Sequence, residues 1–381
     1  MQKKHYLVLI IVFAAFLLGL MGLSLLQPDR EFSENENRYL QMLPQPTAAD
    51  IQSGKFGDTV ESYLSDQMWL RDRWTALRSR VKMLLQNKDI GGVYLCEDGY
   101  YVEKFTRNDL DEKLFASNLK NLCDFFRRCG EIETVENITF LPVPTPGYFL
   151  KEKLPRYAEL FDQDAVFDTI AAALPESTDL LDLRQDFAGA MDDVQLFYRT
   201  DHHWTTAGAF LAYTLWQQSV GLPMPDAERF TAEQHPGFRG TLYSKVLDVG
   251  AAFDTIELYR TEGDTALTVT YSGTGHESCY ELSALEEKDM YKVFFGGNWP
   301  IVTITGGEKN GRHLLVLKDS YANAFLPFAA MDYESITVVD LRYYLGSLTA
   351  QMQTDGTTDV LVLYSVTNFL TDTNMARLAF G

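Results

Sequence analysis

The chain has 381 residues, 46% of them hydrophobic, enough to bury one large core or two modest ones. A formal net charge of -20 argues against a nucleic-acid partner, because gripping a phosphate backbone relies on clustered Lys and Arg. The four cysteines, Cys96, Cys123, Cys129 and Cys279, make no disulfide framework and match no zinc spacing. Cys123 and Cys129 fall in a predicted helix, where six positions hold Cα atoms about 9 Å apart, too far to bridge.

The first segment, "MQKKHYLVLIIVFAAFLLGLMGLSLLQPDR", carries Lys3 and Lys4 and then no Asp, Glu, Lys or Arg from Tyr6 to Pro28. Such a run crosses a bilayer core of about 30 Å at roughly 1.5 Å per residue. Basic residues on its N-terminal flank favour a cytoplasmic start and an exported remainder. A cleaved signal peptide is the rival reading, but the run exceeds a usual signal core and no small-x-small site follows it. Residues 1–28 therefore read as a signal anchor with an extracytoplasmic body behind it. Residues 29–50 are polar and include Pro44 and Pro46, which suits a tether. From Asp50 to Asn87, apolar residues such as Val60, Tyr63, Leu64, Trp74, Leu77, Val81 and Leu84 recur at helical spacing, so 29–89 reads as a tether and helical region.

Beyond it, "GGVYLCEDGYYVE" has strand composition around a glycine-bearing turn, and a helix is predicted from about Leu110 to Arg128. The strand "NITFLPVPTPG" follows, then a helix over Gln163 to Leu174, a strand at "TDLLDLR", and a helix from Ala207 to Gln217. Strands alternating with helices predict an α/β sandwich with a mainly parallel sheet covered on both faces. Residues 233–299 break the rhythm with short alternating runs such as "TIELYR" and "ALTVTYSG", and read as a β-rich insertion. The alternation resumes with "RHLLVLKDSYANAFLPFAA", "SITVVDLRYY" and "DVLVLYSVTNF". Residues 90–381 are thus expected to form one α/β domain.

Two stretches carry chemistry. In "HLLVLKDS" an apolar strand runs into Lys318, Asp319 and Ser320, and "YANAFLPF" then reads as a helix. A serine at a strand's carboxyl end, opening a helix, sits where open α/β sheets bind ligands, with helix N–H groups nearby. The same position also suits a plain helix cap. In "YRTDHHWTTAGAF", Asp201 and His203 are separated by one residue, and side chains at i and i+2 of extended backbone share a face. A carboxylate that orients an imidazole, which in turn activates a serine, is the triad arrangement. His202 points off that face, and Thr205–Thr206 suits a helix cap just after. Zinc would need three ligands, and Asp201, His202 and His203 are poorly placed to converge from adjacent positions. His235, His276 and His313 stand without a motif, so no metal and no cofactor is expected. A hydrogen-bonded structural histidine pair and a zinc-dependent hydrolase are the remaining alternatives.

"TDHHWTTAGAF" together with "KDSYANAFLPF" resembles the DHHW family of anchored bacterial proteins and, through it, the SGNH-like domains of alginate O-acetyltransferases. "SENENRYLQMLPQPT", "GKFGDTVESYLSDQMWLRDRW", "GGVYLCEDGYY", "FRGTLYSKV" and "VVDLRYY" extend the likeness over nearly the whole chain after the anchor. The resemblance implies an SGNH-like three-layer α/β/α sandwich with Ser320 as nucleophile, His203 as general base and Asp201 as its orienting acid. It implies an oxyanion held by the Ser320 amide with Asn323. His202, Trp204, Tyr198, Arg199, Lys318 and Arg342 are further candidates for contacting substrate. The implied activity is O-acetyl transfer to, or acetyl ester hydrolysis from, a cell-envelope or secreted polysaccharide. A transferase would need a membrane-embedded acyl donor protein as partner. A non-catalytic carbohydrate-binding or envelope-assembly protein on the same fold is the alternative. Two departures stand out: Lys318 replaces the usual glycine before Asp-Ser, and the Asp–His pair precedes the serine, reversing the order of ordinary SGNH hydrolases.

Overall fold

The computed structural model describes residues 2–33, 35, 38–262, 267–271, 273–276 and 278–380. Residues 34, 36 and 37 of the "SENENRYL" block, and 263–266, 272 and 277 of the predicted β-rich insertion, lie outside the described residues, as do Met1 and Gly381. The chain divides into two compact units, residues 1–91 with 243–251, and residues 92–242 with 252–381.

The first unit opens on the helix Gln2–Leu26, whose segment Lys4–Leu26 is long and apolar enough to cross a membrane, a test that a signal sequence also passes. The helical periodicity of 50–87 resolves into three helices, Ala48–Ser53, Lys55–Asp66 and Arg71–Leu84. Gly54, at φ 82°, breaks the first from the second, and Leu70, at φ 56°, caps the third. The predicted tether is knitted to these helices. Asp66 binds the Arg38 guanidinium at 2.5 and 2.9 Å and the Gln41 amide at 2.8 Å. Gln67 exchanges hydrogen bonds with the backbone of Arg30 at 2.9 and 3.0 Å.

In the second unit, an eight-stranded central sheet is built from strands numbered here in chain order: β1 (Asn137–Val143), β2 (Asp179–Leu180), β3 (Thr268–Tyr271), β4 (Thr274–His276), β5 (Ile301–Thr305), β6 (His313–Lys318), β7 (Ser335–Val339) and β8 (Asp359–Ser365). Their spatial order is β4-β3-β5-β7-β6-β8-β1-β2. The pairs β7–β6, β6–β8, β8–β1 and β1–β2 are parallel. The pairs β7–β5, β5–β3 and β3–β4 are antiparallel. Within the predicted β-rich insertion, β3 and β4 extend the main sheet. Its remaining strand, Asp254–Arg260, pairs antiparallel with Thr231–Phe238. The strand predicted at "TDLLDLR" shrinks to two residues, since Asp182 turns to bind Arg184 at 2.6 Å and a helix starts there.

Alternation along each strand fills two cores. Leu314 and Val316 of β6, with Ile336, Val338, Leu361 and Leu363, pack against the helices Thr206–Ser219 and Ala322–Ala329. Leu315 and Leu317, with Phe140, Val360 and Val362, pack on the opposite face against the helices Glu112–Gly130 and Gln163–Ala173. Both faces being covered explains the near-continuous apolar strands. Cys123 and Cys129 sit unpaired in that second core, and burial pushes the Cys129 thiol up to about 12. The chain leaves β6 for β7 on one side and then crosses to β8 on the other. That reversal of strand order puts the carboxyl end of β6, just before Ser320, at the switch point where open α/β sheets bind ligands.

Candidate active site

Ser320 lies in the short turn between β6, which ends at Lys318, and the helix Ala322–Ala329, whose eight residues are all buried. The turn between them is held by Asp319. One carboxylate oxygen accepts the Tyr321 amide at 2.9 Å, and the other accepts the Ser365 amide at 2.8 Å and the Asn368 carboxamide at 2.7 Å. Asp319 thus pins the turn to the end of β8, and Ser320 stands half-buried beside it.

The "DHHW" residues occupy a tight loop closed by a bridge between Phe197 and Trp204 and by the Tyr198 amide donating to the His203 carbonyl at 3.2 Å. Thr205 caps the next helix by accepting the Gly208 amide at 3.1 Å. Gly208 is required here, because a Cβ would lie 2.4 Å from the Leu196 carbonyl oxygen. Asp254 braces the loop from the neighbouring ribbon, accepting the Arg199 and Thr200 amides at 3.0 and 2.9 Å and the Thr200 hydroxyl at 2.8 Å.

Inside this loop Asp201 Oδ1 accepts the His203 amide at 2.9 Å and meets His203 Nδ1 at 2.6 Å. On the other side of the ring, His203 Nε2 lies 2.7 Å from Ser320 Oγ. An ionised carboxylate only accepts, so Nδ1 carries the proton and Nε2 is left to receive one from the serine. The second oxygen of Asp201 accepts the Thr241 amide at 2.7 Å and its hydroxyl at 2.9 Å. Burial opposes ionisation of Asp201. The His202 and His203 imidazoles and the hydrogen bonds from His203 and Thr241 outweigh it and hold the carboxyl well below its ordinary range. Tyr291 stacks on the His203 ring at 4.0 Å and an interplanar angle of 10°, and its hydroxyl donates to the Ser320 carbonyl at 3.2 Å.

Of the sequence candidates, Asp201, His203 and Ser320 converge. His202 flanks them half-buried, with Nδ1 at 2.6 Å from the Thr241 hydroxyl and its carbonyl accepting the Tyr321 hydroxyl. Its Nδ1 lies 3.6 Å from Asp201, and ligand-type atoms of Asp201, His202 and His203 lie within 4.8 Å of one another, closer than their adjacency led us to expect. Both ring nitrogens of His203 already have protein partners, however, so the closeness is that of a hydrogen-bonded relay. Trp204 offers no face to a sugar: it is fully buried, and its indole N–H donates to the Tyr321 carbonyl at 2.9 Å. Tyr198 is likewise inside the core, edge-on to Phe238 and Tyr291. Arg199 sits over the Tyr100 ring. Lys318 is buried against Asn298 and Asn323, and Arg342 is locked on Asp340 at 2.5 and 2.9 Å. The Asn323 carboxamide faces Lys318 and the loop at Gly297 and Asn298.

Sequence reasoning missed Thr241, Gly240, Asp254, Tyr291, Asn298 and the bracing role of Asp319. "FRGT" carries no site signal of its own in the sequence. Its glycine is now explained: a Cβ on Gly240 would lie 2.1 Å from Asp201 Oδ2.

Comparison with known proteins follows the same lines. Residues 187–339 match the family model described as DHHW protein, and residues 100–236 match that described as SGNH hydrolase-like domain, acetyltransferase AlgX. A DHHW family protein from Eubacterium siraeum DSM 15702 is 25% identical, with a TM-score of 0.64 over 76% of this chain and 96% of that chain. Bacillus cereus PatB1, solved with a sulfonyl adduct, is 21% identical with a TM-score of 0.63 over 75% of this chain and 97% of that chain, and shares the fold. No curated protein matches the chain. By its sequence over residues 187–339 and by its fold over three quarters of its length, the chain is similar to the DHHW proteins, on an SGNH hydrolase-like α/β frame.

Proposed function

We propose that this chain is a membrane-anchored, extracytoplasmic SGNH-like O-acetyltransferase or acetylesterase that acts on a cell-envelope or secreted polysaccharide through Ser320, His203 and Asp201. The observation that carries the reading is the continuous relay from Asp201 Oδ1 through His203 to Ser320 Oγ, at 2.6 and 2.7 Å. The description of the matched SGNH-like model as an acetyltransferase supports the acyl group. The sulfonyl adduct of PatB1 supports a nucleophile on this fold, because such an adduct forms by attack on a sulfonyl centre.

In this mechanism Ser320 Oγ adds to the acyl carbonyl carbon while its proton passes to His203 Nε2. The C–O bond to the donor alcohol then breaks, and the imidazolium returns the proton to the leaving oxygen. Ser320 now carries the acyl ester. A sugar hydroxyl or water attacks it, giving its own proton to Nε2, and Ser320 departs with that proton. Asp201 keeps Nδ1 protonated and offsets the imidazolium charge. The Ser320 amide has no hydrogen-bond partner among the described residues and is the nearest donor for the oxyanion, with Asn323 as the second candidate. The apolar helix over Lys4–Leu26 would span the membrane as anchor, followed by the helical region to residue 89 and the catalytic body over 90–381.

Esterolysis of 4-nitrophenyl acetate by the full chain in detergent tests the reading. Ser320→Ala is expected to lower turnover about 10²-fold or more. Equal turnover by both proteins sinks the triad. Adding an oligosaccharide acceptor separates the two activities, as acetylated sugar in one case and free acetate in the other.

A further inference from the structure

Lys318 ends β6, two residues before Ser320, and only 2% of it is exposed. A buried ammonium is costly unless its hydrogens are taken up. Here Nζ donates to Asn298 Oδ1 at 2.7 Å and to Asn323 Oδ1 at 2.8 Å, and the Asp340 carboxylate lies 3.8 Å away. Asp340 itself is fully buried and already gripped by Arg342, so Lys318 and Arg342 share one acid. An aliphatic side chain would fill the same space without the desolvation cost, so the retained charge calls for a role beyond packing.

The geometry defines that role. An ammonium group only donates, so both carboxamides must turn their oxygens toward it. The two amide groups are therefore oriented by one residue. For Asn323 this sends the Nδ2 group toward the preceding loop, 3.5 Å from the Gly297 carbonyl and 3.4 Å from Asn298 Oδ1. For Asn298, an exposed residue, the NH2 group is the end left outside. The loop that carries it is unusual: Phe295, Gly296 and Gly297 have φ of 62, 65 and 120°. Three successive left-handed residues, one of them not glycine, persist only where surrounding contacts hold them. Trp299 closes the loop's base through its indole N–H to the Phe295 carbonyl at 2.7 Å, and Lys318 holds its tip. At the other end of the clamp, the backbone N–H of Asn323 donates to the Ser320 carbonyl at 3.2 Å.

We propose that Lys318 is a positioning residue for the reaction at Ser320: its ammonium group clamps the loop 295–298 to the serine's own turn and presents the Asn298 NH2 group as a donor to the substrate. The inference rests on the acyl-transfer reading above. It also gives the replacement of glycine by lysine before Asp-Ser a purpose, since a glycine could hold neither amide.

Burial draws the Lys318 ammonium down to about 8, with Asp340 and Asp319 pulling it up and Arg342 pushing it down. The groups facing it are Asn298 from the loop, Asn323 from the following helix, Asp340 and Arg342 from the end of β7, and Asp319 from its own turn. The clamp is charged at neutral pH, and its charge is lost as the pH rises through about 8.

The test is the pH dependence of 4-nitrophenyl acetate hydrolysis by the full chain in detergent, from pH 6 to 9.5, with kcat and KM determined separately. The wild type is expected to lose kcat on the alkaline side. Lys318→Met should lower kcat about tenfold or more, with KM within about threefold, and abolish that alkaline limb. Asn298→Asp covers the case in which Lys318→Met fails to fold, because residue 298 is exposed. It places a carboxylate against the ammonium and removes the NH2 donor, so kcat should fall about tenfold while the remaining alkaline limb moves upward by about one pH unit. If Ser320→Ala is inactive while Lys318→Met and Asn298→Asp keep the wild-type kcat and pH profile, the inference is overturned and acyl transfer stands. If Ser320→Ala keeps the wild-type rate, both fall.

Discussion

The indole N–H of Trp204 donates to the carbonyl of Tyr321 at 2.9 Å, one residue beyond the His203–Ser320 contact on each strand of chain, and both pairs are separated by 117 positions. The loop of "DHHW" and the turn of "KDSY" therefore run side by side, and the buried indole is the pin between them. Trp204→Phe keeps the ring but orphans the Tyr321 carbonyl. A loss of about 1–2 kcal/mol in thermal unfolding is expected, with esterolysis reduced about tenfold. An unchanged melting temperature would show that the pin contributes nothing.

Asp201 is the charged end of the relay, and its carboxyl is held well below the ordinary range. Burial alone would raise it, and the two imidazoles, with the hydrogen bonds from His203 and Thr241, reverse that. A group depressed in the folded state contributes stability that is full above the unfolded value of about 3.9 and lost as the pH falls, because the unfolded chain takes the proton first. Asp201→Asn should therefore flatten the acid-denaturation profile below about pH 4. It should also lower kcat about 10²–10⁴-fold, since an uncharged carboxamide cannot offset the imidazolium and has one acceptor oxygen where the His203 and Thr241 donors need two. The same acid slope in both proteins would contradict the depressed carboxyl.

Gly240 gives Asp201 the room to sit on Thr241. Gly240→Ala places a methyl group into the carboxylate, where the contact would be 2.1 Å, and something must shift. The expected result is a destabilisation of about 1–3 kcal/mol by chemical denaturation, accompanied by loss of esterolysis. Retention of full activity would show that the Asp201 shelf moves freely.

Tyr291 plays two parts that substitutions separate. Tyr291→Phe keeps the stack on His203 and removes only the bond to the Ser320 carbonyl, so about 0.5–1.5 kcal/mol of stability and a few-fold in rate are at stake. Tyr291→Ala empties the space beside the imidazole and should cost about 3–5 kcal/mol. Equal effects from the two variants would assign the whole contribution to the hydroxyl.

Much of the frame was legible in the chain itself, because its determinants are local. Apolar runs of five to seven residues marked the parallel strands, helical spacing marked the covering helices, and one residue between Asp201 and His203 already placed both side chains on a face. The broken helices of residues 48–84 were less legible, since a periodic pattern continues across a glycine or a left-handed leucine without showing the turn. Trp204 reads in the sequence equally as a substrate contact or a core anchor, and Tyr198 as a cleft residue, because an aromatic residue reads the same whether its ring meets solvent or the core; both rings are buried.

The sequence by itself determined an α/β frame, an apolar N-terminal helix, and the two half-sites "DHHW" and "KDS". Only the tertiary structure decided that they meet, with Nε2 of His203 2.7 Å from Ser320, and that Thr241, Asp254, Tyr291 and Asn298 gather round them. The physical reason is the range of the forces involved. Periodicity and capping act over a few residues and leave their mark in local order. A relay that joins the "DHHW" loop to the turn after β6, braced by the end of β8 and a ribbon, is set by sheet register and packing, which depend on the whole chain at once.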